Sequence, residues 1–391
     1  MLTVEEAQRI CMANAPAMPA EFRRLEHAIG TCLAQDAFAA DDYPRMDVSA
    51  VDGYAVAGPI GPWSRIGSIA AGQVLGQSLG AGECVRIFTG AALPEGTHGV
   101  VMQERVSLGD AAQSVRALTE VIPGANIRRR GESFRSGELL LAKGERMNAA
   151  AVGLLACGGL DEVMVVTEPI VSIVRTGSEF IEPGEDHAGM IHSSNERMLV
   201  AAVRAAWFHT EEPPFTSSDD PAEIRAVLEA ALADSDAVIT TGGVSVGEHD
   251  SIRQVLDSMG ANIHFHGVRQ KPGKPMLFAT IGGKPVFALP GNPRAVLVCW
   301  HAYVLPFLRS MQGALDPFAG REQLPLAQPI ELKGDRAEFR AARIRNGLVE
   351  LLPEEGSHML TTLVHADALA YFPGSAQGMV QGERVQLIPL R

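Results

Sequence analysis

The first apolar pattern along the chain is helical. Thr3-Val4-Glu5-Glu6 has the spacing of a capping box, and Val4, Ala7 and Ile10 share one face, which predicts a short amphipathic helix. From about residue 46 to 142 the apolar runs shorten. Val85-Phe88, Gly99-Met102, Val115-Leu118 and Glu138-Leu141 are split by Gly and Pro, which predicts a mainly β module. Asn148 can cap a helix running to Cys157, with Gly158-Gly159 as its stop. From about 169 to 310 two periods alternate. Strand-like Ile170-Val174 gives way to a helical stretch at Glu196-Ala206, and Ala222-Ala233 leads into Ala237-Thr240. Ser251-Met259 precedes Ile263-Phe265, and Val286-Leu289 feeds a last helix near Pro293-Leu308. Such alternation predicts a parallel sheet covered by helices. Beyond Gly313 short strands return, among them Glu383-Leu390 with Val385 and Leu387 on one face, which predicts a small β-barrel.

Length and composition sharpen this picture. At 391 residues the chain exceeds one ordinary domain, and 46% hydrophobic with 20% charged residues is a globular balance, not that of a disordered chain. Forty glycines and 24 prolines without any period imply many tight loops. A net charge of −13 repels a phosphate backbone, which disfavours nucleic-acid binding. Arg128, Arg129, Arg130 and Arg135 are the local exception, either a solvated charge run or a small anion site. The five cysteines are odd in number, dispersed, and without a Cys-x-x-Cys pair, which disfavours a disulfide framework and a structural zinc. Cys157 and Cys299 lie in apolar runs and read as small core residues. No signal-peptide pattern and no apolar run of about 18 residues is present, so a reduced, soluble, cytoplasmic protein is expected.

Candidate chemistry concentrates in the alternating segment. Three loops each follow a short apolar strand: Thr176-Gly177-Ser178-Glu179, then Thr241-Gly242-Gly243-Val244-Ser245-Val246-Gly247, then Pro290-Gly291-Asn292-Pro293. Open α/β sheets bind ligands at the carboxyl ends of their strands, and glycine lets backbone N–H groups approach a phosphate. Any one loop is a weak signal; three in register point to a nucleotide or phosphate site. No Walker or GxGxxG pattern occurs, which disfavours a P-loop NTPase or a dinucleotide dehydrogenase. Lys271-Pro272-Gly273-Lys274-Pro275 sets two ammonium groups around a stiff turn, suited to an oxyanion. Asp219-Asp220-Pro221 and Gly247-Glu248-His249-Asp250 supply carboxylates that suit magnesium, although Asp219 or Asp220 equally suits a helix N-cap. His264 and His266 share one side of a strand but lack a third ligand nearby. In the front half, Asp47-Ala55 and Ile87-Ala91 are polar islands that could be ordinary turns.

Taken together, SAVDGYAV (49–56), IFTGAALPEGTHGVVMQE (87–104), IRRRGE (127–132), TGSE (176–179), DAVITTGGVSVGEHD (236–250), KPGKP (271–275) and LPGNP (289–293) resemble the MoeA-type molybdopterin molybdotransferases, the family that includes the E domain of gephyrin. The matches keep family order and span nearly the whole chain. The resemblance implies an elongated homodimer of four subdomains. These are a helical and extended linker (1–45 with 143–168), a mainly β domain (46–142), a MogA/MoaB-like α/β molybdopterin-binding domain (169–312), and a small C-terminal β-barrel (313–391). It implies that molybdate is inserted into the dithiolene of adenylylated molybdopterin with release of AMP and a need for magnesium. It further implies a site between the central domain of one subunit and the front domain of the other. A molybdopterin adenylyltransferase and molybdoenzyme acceptors would be partners, with no nucleic acid and no membrane.

Carried over by position, Asp52, Thr89, Glu179 and Asp250 match catalytic residues of the family, and Glu179, Asp219 and Asp250 would hold metal. Thr176, Gly177, Thr241, Gly242, Gly243, Ser245, Gly247, Lys271, Lys274, Pro290, Gly291, Asn292 and Pro293 would bind substrate. Three positions depart from the family pattern. Ser133 stands where Gly-Glu-Asp is usual, Ser178 where Thr-Gly-Asp-Glu is usual, and Arg294-Ala295 where Val-Ser is common. The two serines each remove a hard metal ligand. A carrier that binds molybdopterin or the loaded cofactor without catalysis is therefore a second reading, and an adenylyltransferase acting one step earlier is a third.

Overall fold

The computed structural model describes residues 1–109, 113–244, 251–332, 334–353, 356–376 and 378–390. The chain starts with the helix Val4–Ala13, closed by a reciprocal capping box in which Thr3 accepts from the Glu6 amide and Glu6 accepts from the Thr3 amide. Ala20–Arg24 and Cys32–Leu33 flank Glu162–Val166 in a three-stranded antiparallel sheet. The helix Ala149–Cys157, capped by Asn148, packs on it through Ala151 and Leu155. Residues far apart in sequence thus share one small core. Cys157 departs from the sequence expectation: it is exposed, because it falls at the helix's last position on the face turned from that core.

The front module is a six-stranded sheet in the order Gly99–Met102, Gly53–Val56, Glu83–Ile87, Trp63–Ile69, Ser114–Ala117, Val106–Leu108. Successive side chains alternate between two buried clusters. Tyr54, Val56, Cys84 and Val101 enter one, and Ala55, Val85, Ile87 and Val100 enter the other. Both faces are therefore apolar, and the polar Asp52 and Thr89 are left at strand ends.

The central module carries a seven-stranded sheet. Ile170–Thr176, Ala237–Thr241 and Lys284–Leu289 run parallel at its middle. Val171, Ile173, Ile239, Phe287 and Leu289 face one buried cluster, and Val174, Val238, Val286 and Ala288 face the other. Helices Asn195–Ala205 and Pro221–Asp234 cover opposite faces, through Leu199 and Val203 on one side and Ile224 and Leu228 on the other. The sheet is not wholly parallel as its alternation suggested. Leu277–Ile281 pairs antiparallel with Lys284–Leu289 across the two-residue turn Gly282-Gly283, and Asn262–His266 adds a further antiparallel strand. A two-residue connection cannot make a parallel crossover, so the turn sets the direction.

The last helix of this module is broken into three parts: Pro293–Cys299, a π-turn at Trp300–Val304, and Leu305–Met311. Pro306 has no N–H to donate to the Ala302 carbonyl. Gln8 takes that carbonyl instead at 2.9 Å, tying the first helix to the break. C-terminal to it, Glu322–Pro325, Ala337–Arg345, Leu348–Leu351, Ala368–Phe372 and Arg384–Pro389 form a barrel around Leu326, Phe372, Val385 and Leu387. A bridge between Leu326 and Val349 closes it. Gln270–Lys271 of the central module pairs parallel with Ala337-Glu338, so the two modules share backbone hydrogen bonding. Among the described residues no helix is long and apolar enough to cross a membrane.

Candidate functional site

The three glycine loops converge. The strands ending at Thr176, Thr241 and Leu289 are neighbours, and their carboxyl ends lie at one edge of the sheet. Thr176 donates its hydroxyl to the Thr241 carbonyl at 3.1 Å, and the Gly242 amide donates to the Leu289 carbonyl at 3.3 Å. A Cβ on Gly291 would sit 3.8 Å from the Gly242 Cα, which places the second and third loops side by side. Asn195, buried at the start of its helix, donates Nδ2 to the Gly291 carbonyl at 2.7 Å. Thr176 and Thr241 are buried, while Gly177, Gly242, Gly243 and Asn292 border open space and Pro293 begins its helix.

Gly242 is where glycine is required. Its φ is +90°, and a Cβ there would lie 2.5 Å from the Thr176 carbonyl oxygen. Gly242→Ala combines a backbone conformation that L residues avoid with a collision against main chain. We expect a loss of about 1–3 kcal/mol and a lower melting temperature, together with weakened substrate binding. Differential scanning calorimetry and a binding titration on the full chain check this; an unchanged thermogram with intact binding refutes it.

Two carboxylates meet at the first loop. The Glu179 carboxylate folds back over Gly177, with Oε2 only 2.1 Å from where a Cβ on that glycine would be. Asp219 accepts from the Ser178 amide at 3.3 Å through Oδ2. Asp220, by contrast, caps the helix Pro221–Asp234 by accepting from the Ala222 and Glu223 amides. The structure thereby divides the Asp-Asp pair: Asp220 serves the helix and Asp219 faces the loop. Ser245, Gly247 and Asp250, with Glu248 and His249, lie outside the described residues. The metal set expected at Glu179, Asp219 and Asp250 can thus be followed at its first two members, which are hard oxygen donors at one loop.

The Lys271–Pro275 turn faces a cleft of about 630 Å³ between the central module and the barrel. Lys271, Lys274, Pro290, Asn292, Arg336, Arg340 and Ser357 line it, and Glu338 is its one carboxylate among the described residues. Glu338 pairs with Arg340 at 2.6 Å, so among the described residues the cations lining the cleft outnumber its carboxylates. Asn292 donates Nδ2 to Ser357 Oγ at 2.8 Å, linking the third glycine loop to the barrel. Arg294, the added cation of the sequence, is 5% exposed and donates Nη1 to Thr362 Oγ1 at 2.8 Å. It binds the two modules together at the cleft's wall.

Asp52 and Thr89 meet in the front module. The Thr89 amide and hydroxyl both donate to Asp52 Oδ1 at 2.8 Å. Those two bonds, the amide first, hold the Asp52 carboxyl below its usual range. Arg86 lies in the adjacent strand, donates to the Gly53 carbonyl at 2.8 Å, and rests on the rings of Tyr54 and Phe88. Asp52 therefore stays ionised at mildly acidic pH, with Oδ2 unengaged among the described residues. No hydrogen bond or ion pair among the described residues joins this pair to the glycine loops or the lysine turn.

Other candidates are spent locally. Arg129 pairs with Asp47 at 2.6 Å and Arg130 pairs with Asp42, so half of the arginine run is neutralised. The Ser133 amide donates to the Tyr43 carbonyl, and its side chain is exposed. His264 stacks on Phe278 and bonds Thr280 Oγ1 at 3.0 Å, while His266 Nδ1 is 3.3 Å from Arg253 Nη1. Among the described residues no three His, Cys, Asp or Glu side chains group as metal ligands. Sequence reasoning missed Asn195, Arg86, Arg336, Arg340 and Ser357. Only Asn195 carried a local signal, the Ser-Ser-Asn run ahead of a helix.

Comparison with known proteins covers the whole chain. Residues 2–159 match the family described as MoeA N-terminal region (domain I and II), 172–310 the probable molybdopterin binding domain, and 323–390 the MoeA C-terminal region (domain IV). The chain is 30% identical to a molybdopterin molybdenumtransferase of Staphylococcus aureus (strain COL), over 99% of this chain and 95% of that one. It is 32% identical to molybdopterin molybdenumtransferase 2 of Mycobacterium tuberculosis, over 99% of each. A crystal structure of the molybdopterin biosynthesis MoeA protein of Pyrococcus horikoshii superposes with a TM-score of 0.83 at 29% identity, covering 99% of both chains.

Proposed function

Since the chain belongs to the MoeA family, we infer that it is a molybdopterin molybdenumtransferase of molybdenum cofactor synthesis. Its substrates on this reading are molybdate and adenylylated molybdopterin, and AMP leaves as the cofactor forms. The observation that carries the reading is the cleft lined by Lys271, Lys274 and Arg336, continuous with the glycine loops through Pro290 and Asn292. A tetrahedral dianion needs concentrated positive charge, and a phosphoanhydride needs backbone amides; the two lie side by side.

Each part has a role that its chemistry suits. The two lysines take molybdate oxygens, and the Gly242 and Gly291 loops cradle the phosphates. Two thiols of molybdopterin replace one molybdate oxygen, which leaves as water with their two protons. Cleavage of the anhydride to AMP consumes one water, so atoms balance and molybdenum keeps its oxidation state. Glu179 and Asp219 would hold magnesium, whose charge offsets that of the phosphates when it is bound. Asp52, oriented by Thr89, would complete the site from the front domain of a partner subunit in a homodimer. No hydrogen bond or ion pair among the described residues links it to the glycine loops of its own chain, which accords with that arrangement.

Ser133 and Ser178 in place of carboxylates keep the carrier reading open to test. The measurement is AMP release from adenylylated molybdopterin by the purified protein, with and without molybdate and magnesium. We expect release that depends on molybdate and is stimulated by magnesium. Tight binding of the nucleotide without release, at any molybdate concentration, would replace the transferase by a carrier.

A further inference from the structure

We propose that Gln270, clamped by Tyr303, is a positioning residue that presets the Lys271–Pro275 turn for oxyanion capture. The proposal rests on the reading of that turn as the molybdate cradle. Gln270 directly precedes the turn and is 0% exposed. An amide buried to that degree must satisfy both ends inside the protein. Its Nε2 donates to the Pro272 carbonyl at 3.0 Å, and its Oε1 accepts from the Tyr303 hydroxyl. Tyr303 can only donate to that oxygen, because the opposite amide end is committed to Pro272. The amide orientation is therefore fixed by the pair.

The turn is pressed onto this floor. Gly273 has a φ of +94°, and a Cβ there would lie 2.6 Å from Gln270 Nε2 and 2.7 Å from Cys299 Sγ. Cys299 is itself 3.7 Å from Gln270 Nε2. One side of the turn thus rests on two buried side chains, with Tyr303 behind Gln270, and its first residue is held sideways by the pairing of Gln270-Lys271 with Ala337-Glu338. With its floor and one edge fixed, the turn presents Lys271 and Lys274 into the cleft from a defined backbone. The floor is also uncharged. Burial pushes the Cys299 thiol up to about 12 and raises the Tyr303 phenol, so neither ionises near neutral pH to compete with an anion.

Tyr303 reaches Gln270 from the π-turn Trp300–Val304, a local widening that changes the facing of the side chains on it. Pro306 leaves the Ala302 carbonyl without its helical donor, and Gln8 and Arg321 take it at 2.9 and 3.4 Å. The break in the helix is therefore supported from outside and is a stable feature on which a buried clamp can be built.

The test is the molybdate KM and the kcat at saturating molybdate in the AMP-release assay, with thermal melts of each full-length variant. Gln270→Leu removes both amide bonds at similar volume; Tyr303→Phe removes only the phenol. We expect Gln270→Leu to raise the molybdate KM on the order of tenfold with kcat within about twofold. Tyr303→Phe should raise KM by a few-fold alone and add nothing in the Gln270→Leu background, because it acts through that amide. Unchanged KM in folded Gln270→Leu, or a fall in kcat alone, overturns the proposal. If Gln270→Leu does not fold, Tyr303→Phe decides by the same criterion. Lys274→Ala separates the two levels. If it too leaves KM unchanged, the cradle reading itself fails, whereas a raised KM there with none in the clamp variants refutes only the positioning role.

Discussion

Asp52→Ala and Glu179→Ala are each expected to lower molybdenum transfer by about 10²–10³-fold, yet an equimolar mixture of the two inactive proteins is expected to regain about a quarter of wild-type activity. The argument starts from geometry. Asp52 is fixed by two 2.8 Å hydrogen bonds from Thr89 at the end of the front sheet, and Glu179 covers Gly177 in the central module. Both are exposed and neither supports a core, so alanine should leave folding and melting temperature unchanged. If each site joins the front module of one subunit to the central module of the other, a mixed dimer holds one site with both defects and one with neither. Random reassortment makes half the dimers mixed, and half their sites intact, which gives the quarter. The mixture must be incubated long enough for subunits to exchange, monitored with differently tagged chains. Verified mixed dimers that remain inactive would place both residues in the same subunit's site, or outside any site.

Much of this was legible in the sequence because its signals are local. The capping box at Thr3 and Glu6, the Asn148 cap and the glycine turns that follow three strands each lie within a few residues, where spacing fixes geometry. The barrel was legible as short alternating strands. Signals that compete were harder. The expectation of a parallel sheet passes over the apolar run Leu277–Ile281, although Gly282-Gly283 behind it forces a hairpin. Cys157 looked like core because its neighbours are apolar, but helical phase turns it outward. Contacts set by tertiary structure left no trace at all. Tyr303 is 33 residues from Gln270, and Arg336 and Arg340 come from another module. The Asp-Asp pair at 219 and 220 illustrates the middle case. Either residue suits an N-cap by type, and only the position of the Pro221–Asp234 helix assigns the cap to Asp220.

The two lysines of the turn should not be equivalent, and the difference tests the cleft. Lys274 is half-buried and Lys271 is exposed, although both line the same cavity. A charge removed from solvent acts through a lower effective dielectric and is screened less by salt. Lys274→Ala is therefore expected to raise the molybdate KM by about 10²-fold, with an effect that persists at high ionic strength. Lys271→Ala should raise it by about tenfold, an effect that shrinks as salt is added. The pair together should abolish molybdate dependence, leaving only slow, molybdate-independent loss of AMP. Lys274→Arg should recover part of the affinity, because the charge returns but a planar fork replaces a compact ammonium at a tetrahedral ion. Two of the cleft's arginines are already engaged: Arg340 of the barrel by Glu338 at 2.6 Å, and Arg294 of the central module by Thr362. Steady-state kinetics across molybdate concentrations at low and high salt decide the matter. Equal and fully salt-screened effects of the two alanine variants would mean that molybdate is attracted by the cleft's general field, not seated between these side chains. No effect of either would move the oxyanion site away from the turn.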